Sequence, residues 1–132
     1  METGMWQIQW NDNEPHPATS VDEVNSMLDA VHQEHAESGR LVQIVNESGE
    51  TLMVGLGKSL SVLTYAPAEG WPSKSSRNPD AIDDGEAIGF FMGSHWSEMP
   101  KSYAVPVEQA REAVTLFCKQ GELSPSIEWI DD

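Results

Sequence analysis

Two amphipathic helical stripes, one in each half of the chain, and a series of short β-branched apolar runs around them predict an α+β fold. The expected architecture is a mostly antiparallel sheet of about five to six strands packed against two main helices, because the connections are too short for crossover helices. The 132 residues suit one ordinary domain, residues 1–132, and a chain of that length buries about two-thirds of its unfolded surface.

The elements follow in order. In WQIQW, Trp6, Ile8 and Trp10 share one side of an extended segment and Gln7 and Gln9 the other, the pattern of a half-buried strand. NDNEPHPAT reads as a loop. Ser20 and Glu23 then stand at capping-box spacing, and Val21, Val24, Leu28 and Val31 form the stripe of a helix ending near Gly39. Asp22 and Glu23 occupy its first turn, where the helix dipole favours negative charge. LVQIVNES, TLMVGLG and SLSVLTYA read as a meander of antiparallel strands.

Residues 67–86 carry three prolines, two glycines and few apolar side chains, so a long surface loop is expected. Its second half gathers Asp80, Asp83, Asp84 and Glu86. AIGFFMG resumes strand alternation, and GSHWSEMP follows as the exit of that strand. Pro106 opens a second helix with Glu108 in its first turn, a stripe of Val107, Ala110, Val114 and Phe117, Lys119 in its last turn and Gly121 as the stop. Ile127 and Trp129 end the chain in a short strand, with Trp129 anchoring it in the core.

Composition narrows the function. The 39% hydrophobic and 22% charged residues are those of a folded globule, and no apolar run approaches the ~20 residues a membrane span needs. METGMWQIQW lacks the basic and long apolar regions of a secretory signal, and the single Cys118 has no partner for an intramolecular disulfide, so a cytoplasmic protein is expected. Twenty-two acidic against seven basic side chains give a net charge of −15. Such a surface repels nucleic acid and anionic membrane. It attracts basic surfaces, steering them over about one Debye length, ~8 Å at physiological salt.

Candidate chemistry is thin. His95 and Glu98, three apart beside Trp96, would share a face on a helix, but at a strand end before Pro100 they lack further ligands and no metal is expected there. His32 and His35 fit the exposed end of the first helix. Cys118 lies at a helix C-terminus, which disfavours thiolate, and so reads as a packing residue. VGLGKS lacks the spacing of a phosphate-binding loop, and the acids from Asp80 to Glu86 lack that of a calcium loop. No catalytic set and no cofactor site emerges. The open alternatives are a small hydrolase, metal-dependent or built on His95 and Glu98, and an acidic DNA-mimic regulator.

Several segments occur in an order that resembles a known family: SVLTY, WPS, GFFMG, SEMP with Glu98 and Pro100, then VPVEQAREAVTLF with Ala110 and Ala113, and a near-terminal IEW containing Trp129. Over roughly residues 52 to 130 the chain resembles the Imm1 immunity proteins of bacterial polymorphic toxin systems. Similar proteins tend to carry a glycine where this chain has Ser75. The resemblance implies a non-enzymatic cytoplasmic α+β protein that binds a cognate toxin domain, often one acting on nucleic acid such as a deaminase or nuclease, and covers its active site. A toxin of that kind holds phosphates in a basic groove, for which an acidic protein can compete. The expected partner-binding residues are Trp71, Asp80, Asp83, Asp84, Glu86, His95, Trp96 and Glu98. The expected partner is a basic protein rather than nucleic acid or membrane, and the free protein is expected to be a monomer or weak homodimer.

Overall fold

The computed structural model describes residues 5–10, 14–36, 38–70, 72–80 and 85–131. In chain order these form β1 (Trp6–Gln9), β2 (His16–Ala18), α1 (Val21–Glu34), β3 (Arg40–Val45), β4 (Thr51–Leu56), β5 (Leu60–Ser61), β6 (Leu63–Ala66), β7 (Lys74–Arg77), β8 (Ala87–Met92) and β9 (His95–Pro100). A 3-10 turn over Lys101–Tyr103, β10 (Val105–Pro106), α2 (Val107–Gln120) and β11 (Glu128–Asp131) complete the chain.

Seven strands form an open sheet in the order β11-β7-β6-β4-β3-β1-β2, to which β8 and β9 attach through β3, giving nine strands. All neighbours along that order pair antiparallel, whereas β8 joins β3 by a single parallel bridge, Arg40 with Phe91. β10 and β5 pair separately. The α+β class with an antiparallel sheet and two helices is as the sequence predicts, and the strand count is higher than expected.

The added strands lie where hydrophobic alternation is weak. β7 crosses the segment read as a loop, using KSSR. Ser75 and Ser76 are buried there, and Ser76 Oγ accepts from the Leu63 N–H at 3.0 Å while donating to the Tyr103 carbonyl at 2.8 Å. Hydroxyl pairing thus replaces apolar burial in that strand. β2 arises inside NDNEPHPAT by pairing with β1. GSHWSEMP is a turn and a full strand, β9, rather than a strand exit.

Both helices obey their sequence signals. Ser20 caps α1 by accepting from the Glu23 N–H at 3.0 Å, and Glu23 accepts from the Thr19 N–H at 3.0 Å. α1 ends at Glu34, a few residues before Gly39. α2 ends at Gly121, whose φ of 68° is the left-handed conformation that favours glycine. Val24, Leu28 and Val31 of α1 and Ala110, Ala113, Val114, Phe117 and Cys118 of α2 are buried on one sheet face, against Ile8, Val42, Ile44, Leu52, Val54 and Leu63. Arg111 links the helices through Asp29 at 2.8 Å. Trp129 packs half-buried against this core and donates from Nε1 to the Ser124 carbonyl at 3.0 Å.

A second, smaller core forms from Leu41, Val62, Phe90 and Ala104, with Met53, Ile88 and Met99 around it. Leu41 alternates with Val42 along β3, so this core lies on the face away from the helices. Phe90 reaches it from the β8–β9 hairpin and occupies the space that side chains at Gly55 and Gly39 would need: a Cβ on either would stand 2.7 or 2.8 Å from its ring. Replacing Phe90 by alanine should lower stability by about 3–5 kcal/mol, read as a reduced denaturant midpoint. A midpoint equal to wild type would show that this core does not hold the hairpin.

Candidate functional site

The β8–β9 hairpin gathers the exposed functional candidates. Gly93, at φ 60°, and Ser94 form its two-residue turn, which suits a glycine because hairpin turns of that length use positive φ. Met92 pairs with His95, Phe91 with Trp96 and Gly89 with Glu98. Alternation puts Trp96, Glu98, Phe91 and Gly89 on one face and Phe90, Met92, His95 and Ser97 on the other.

Trp96 is 50% exposed, the most exposed large hydrophobic side chain among the described residues. Its position is nevertheless fixed from several sides. The indole lies over Gly89, where a Cβ would come within 2.1 Å of it, so only glycine leaves room for the ring. Its ring meets Phe91 edge-on at 5.0 Å, and its Nε1 donates to Glu98 Oε2 at 2.8 Å. Lys58 Nζ lies 5.4 Å from the Trp96 ring centre and 5.1 Å from that of Phe90, and donates to the Gly89 carbonyl at 2.6 Å.

A second support reaches the turn from the start of β3. The Arg40 guanidinium donates to the Gly93 carbonyl through Nη1, and its Nη2 lies 3.4 Å from His35 Nδ1. His32 Nδ1 accepts from the Gly57 N–H at 2.8 Å, so both helix histidines are engaged in structural bonds. Burial and then the neighbouring Arg40 push the His35 pKa below its ordinary 6.5, against the opposing pull of Glu34.

Of the residues expected to contact a partner, the structure brings Trp96 and Glu98 into one unit. His95 is exposed but points to the other side of β9, so His95 and Glu98 do not converge on a common centre. Glu86 is exposed and pairs with Lys101 at 3.1 Å, at the far end of the hairpin, and Asp80 is exposed beyond β7. Trp71, Asp83 and Asp84 lie outside the described residues. Sequence reading missed Lys58, Arg40, Gly89 and Phe91 as supports. Lys58 lies in VGLGKS, which carries no binding-loop spacing, and nothing in its local context signals a contact 31 positions away. Among the described residues no group of three or more His, Cys, Asp or Glu side chains is placed to hold a metal ion, and no helix is long and apolar enough to cross a membrane.

Such an arrangement defines a class: a small acidic α+β protein presenting a fixed aromatic side chain at its surface, suited to binding another macromolecule. The chain matches the family model described as Immunity protein Imm1 over residues 12–131, and it belongs to that family. It is therefore an immunity protein directed against a bacterial toxin, and its partner is that cognate toxin. The match begins after β1 and takes in β2 and α1, beyond the region where the resemblance was legible. No curated protein matches the chain.

The His35 contact has a pH consequence. A histidine whose folded pKa is depressed stabilises the fold in its neutral form, so its contribution is intact above 6.5 and is lost as the pH falls through the lower folded value. Protonation also sets a second cation against Arg40. Amide exchange at Phe91, corrected for its intrinsic rate, should accelerate on acidification below pH 6.5 in the wild type and much less in His35→Gln. Equal profiles would dissociate His35 from the hairpin.

Proposed function

We propose that this protein neutralises a nucleic-acid-targeting toxin domain, such as a deaminase or nuclease of a polymorphic toxin system, by binding it one-to-one in the cytoplasm and covering its active site. The observation that carries the reading is Trp96, half-exposed yet fixed by Gly89, Phe91, Glu98 and Lys58. A large aromatic side chain already held in one orientation loses little conformational freedom on binding, and such residues dominate interface energies. Glu98 stands beside this anchor on the same face; His95 on the other face of β9, Glu86 at the far end of the hairpin, Asp80 beyond β7, and Trp71, Asp83 and Asp84 are further proposed contacts.

Charge supports a basic partner. Lys58, Lys74, Lys101, Arg40, Arg77 and Arg111, six of the seven cationic side chains, are bonded to acceptors within the protein. The excess of carboxylates is left to face solvent and a cationic groove.

The direct test mixes the purified protein with the toxin domain encoded beside its gene. A 1:1 complex and loss of toxin activity are expected, and full activity at saturating excess would defeat the reading. Trp96→Ala should weaken the complex about 30-fold or more, by calorimetry, with an unchanged far-ultraviolet circular dichroism spectrum. Wild-type affinity in that variant would move the interface elsewhere.

A further inference from the structure

The main-chain edge of β9 is open, and its chemistry is legible from the register. Met92 and His95 close a two-residue turn and exchange both main-chain hydrogen bonds. Bonded and non-bonded pairs then alternate, so Ser97 and Met99 turn their N–H and C=O groups towards β8, whereas Trp96 and Glu98 turn theirs away from it. Two bonds on the opposite strand verify this phase. Phe91, across from Trp96, donates its N–H outward to the Gly39 carbonyl at 3.2 Å, and Gly89, across from Glu98, offers its carbonyl outward to Lys58.

Among the described residues, the main-chain groups of Trp96 and Glu98 have no hydrogen-bond partner, and β9 pairs with β8 alone. The other free edges are blunter. β2 is three residues long and contains Pro17, which has no N–H to offer, and β11 has four residues. β9 has six, with its proline only at the last position.

We infer that the free edge of β9 receives an extended, cationic segment of the toxin as an added strand. The partner bonds the main-chain groups of Trp96 and Glu98 while its side chains meet the indole and carboxylate above them. The inference rests on the toxin-binding reading and adds the mode of recognition. Strand addition draws affinity from main-chain bonds and specificity from alternate side chains, and here both come from the same two residues. Glu98 accepts from Trp96 through Oε2, which leaves Oε1 for a lysine or arginine on the shared face. A second copy of this protein is the poorer occupant, because each copy carries −15 and like charges oppose edge-to-edge approach.

The test is amide hydrogen exchange of the full protein, alone and with a catalytically inactivated toxin domain encoded by the adjacent gene. In the complex, exchange at Trp96 and Glu98 should slow by at least about 100-fold, while Ser97 and Met99, already bonded within the hairpin, change little. A complex that leaves the Trp96 and Glu98 amides exchanging at their free rate overturns strand addition and spares the binding reading. Protection that grows with concentration of the protein alone assigns the edge to a second copy and also overturns it. No complex at all defeats the binding reading and this inference together.

A variant pair separates main chain from side chain. Glu98→Ala keeps the outward N–H, and Glu98→Pro removes it without touching a bond of the hairpin ladder. With folding verified by protection at Phe90, Glu98→Pro should bind at least about tenfold more weakly than Glu98→Ala. Equal affinities would overturn the inference.

Discussion

The burial of Phe90 is the constraint on which the exposed hairpin depends. One parallel bridge and two outward hydrogen bonds join β8 to the rest of the sheet, too few to set its angle by ladder pairing. The Phe90 ring, 0% exposed, lies where Gly55 and Gly39 leave no side chain, and closely packed interiors tolerate little displacement. Because Phe90 and Phe91 point to opposite faces, fixing one ring inward fixes the other outward. Phe91 then supplies an edge for Trp96. The orientation of a surface residue is in this way set by a buried one.

An exposed tryptophan usually retains two liabilities, an apolar ring in water and an N–H that must give up its solvent partner when covered. Only the first remains here. Glu98 already accepts the indole N–H, so covering Trp96 removes apolar surface from water without stranding a donor. Lys58 contributes similarly from the opposite strand edge: its ammonium is held by the Gly89 carbonyl and the two aromatic rings instead of projecting a free positive charge beside the indole. Both polar contacts lower the cost of covering the indole by the same route, internal satisfaction.

The parts of the fold readable in the sequence were those whose determinants are local. Ser20 and Glu23 mark a helix start and Gly121 a helix end within a few residues of the backbone groups they serve. The strands of WQIQ and RLVQIV show through their apolar patterning. β7 was hidden because the Ser76 hydroxyl bonds main-chain groups of Leu63 and Tyr103 and Ser75 is buried between its strand partners Thr64 and Ile130, so hydropathy carries no trace of their burial. The candidate site was half legible. Trp96 and Glu98 were identifiable by type, but reading GSHWSEMP as a strand exit left His95 and Glu98 free to be imagined as a pair. The strand parity that separates them appears only when Met92 is seen to pair with His95 across a two-residue turn. Gly89, Lys58 and Arg40 act through contacts of 7, 31 and 53 positions' separation, shown by 96 − 89, and by the bonds to Gly89 and Gly93.

Charge and shape divide the work of recognition by distance. The net charge of −15 acts over a Debye length and so raises the rate of encounter with a basic partner, falling away as salt increases. It carries little information about where that partner should sit, since carboxylates are spread from α1 to β11. In the proposed complex the fixed indole and the main-chain edge beside it act only at contact, where dissociation rate is decided. An immunity protein must both find its toxin before damage occurs and remain on it afterwards, and neither feature alone achieves both. Their coexistence in a domain of this size follows from bonding nearly all of its cations internally, which leaves the surface acidic, while two of those cations, Lys58 and Arg40, also brace the hairpin that Phe90 positions.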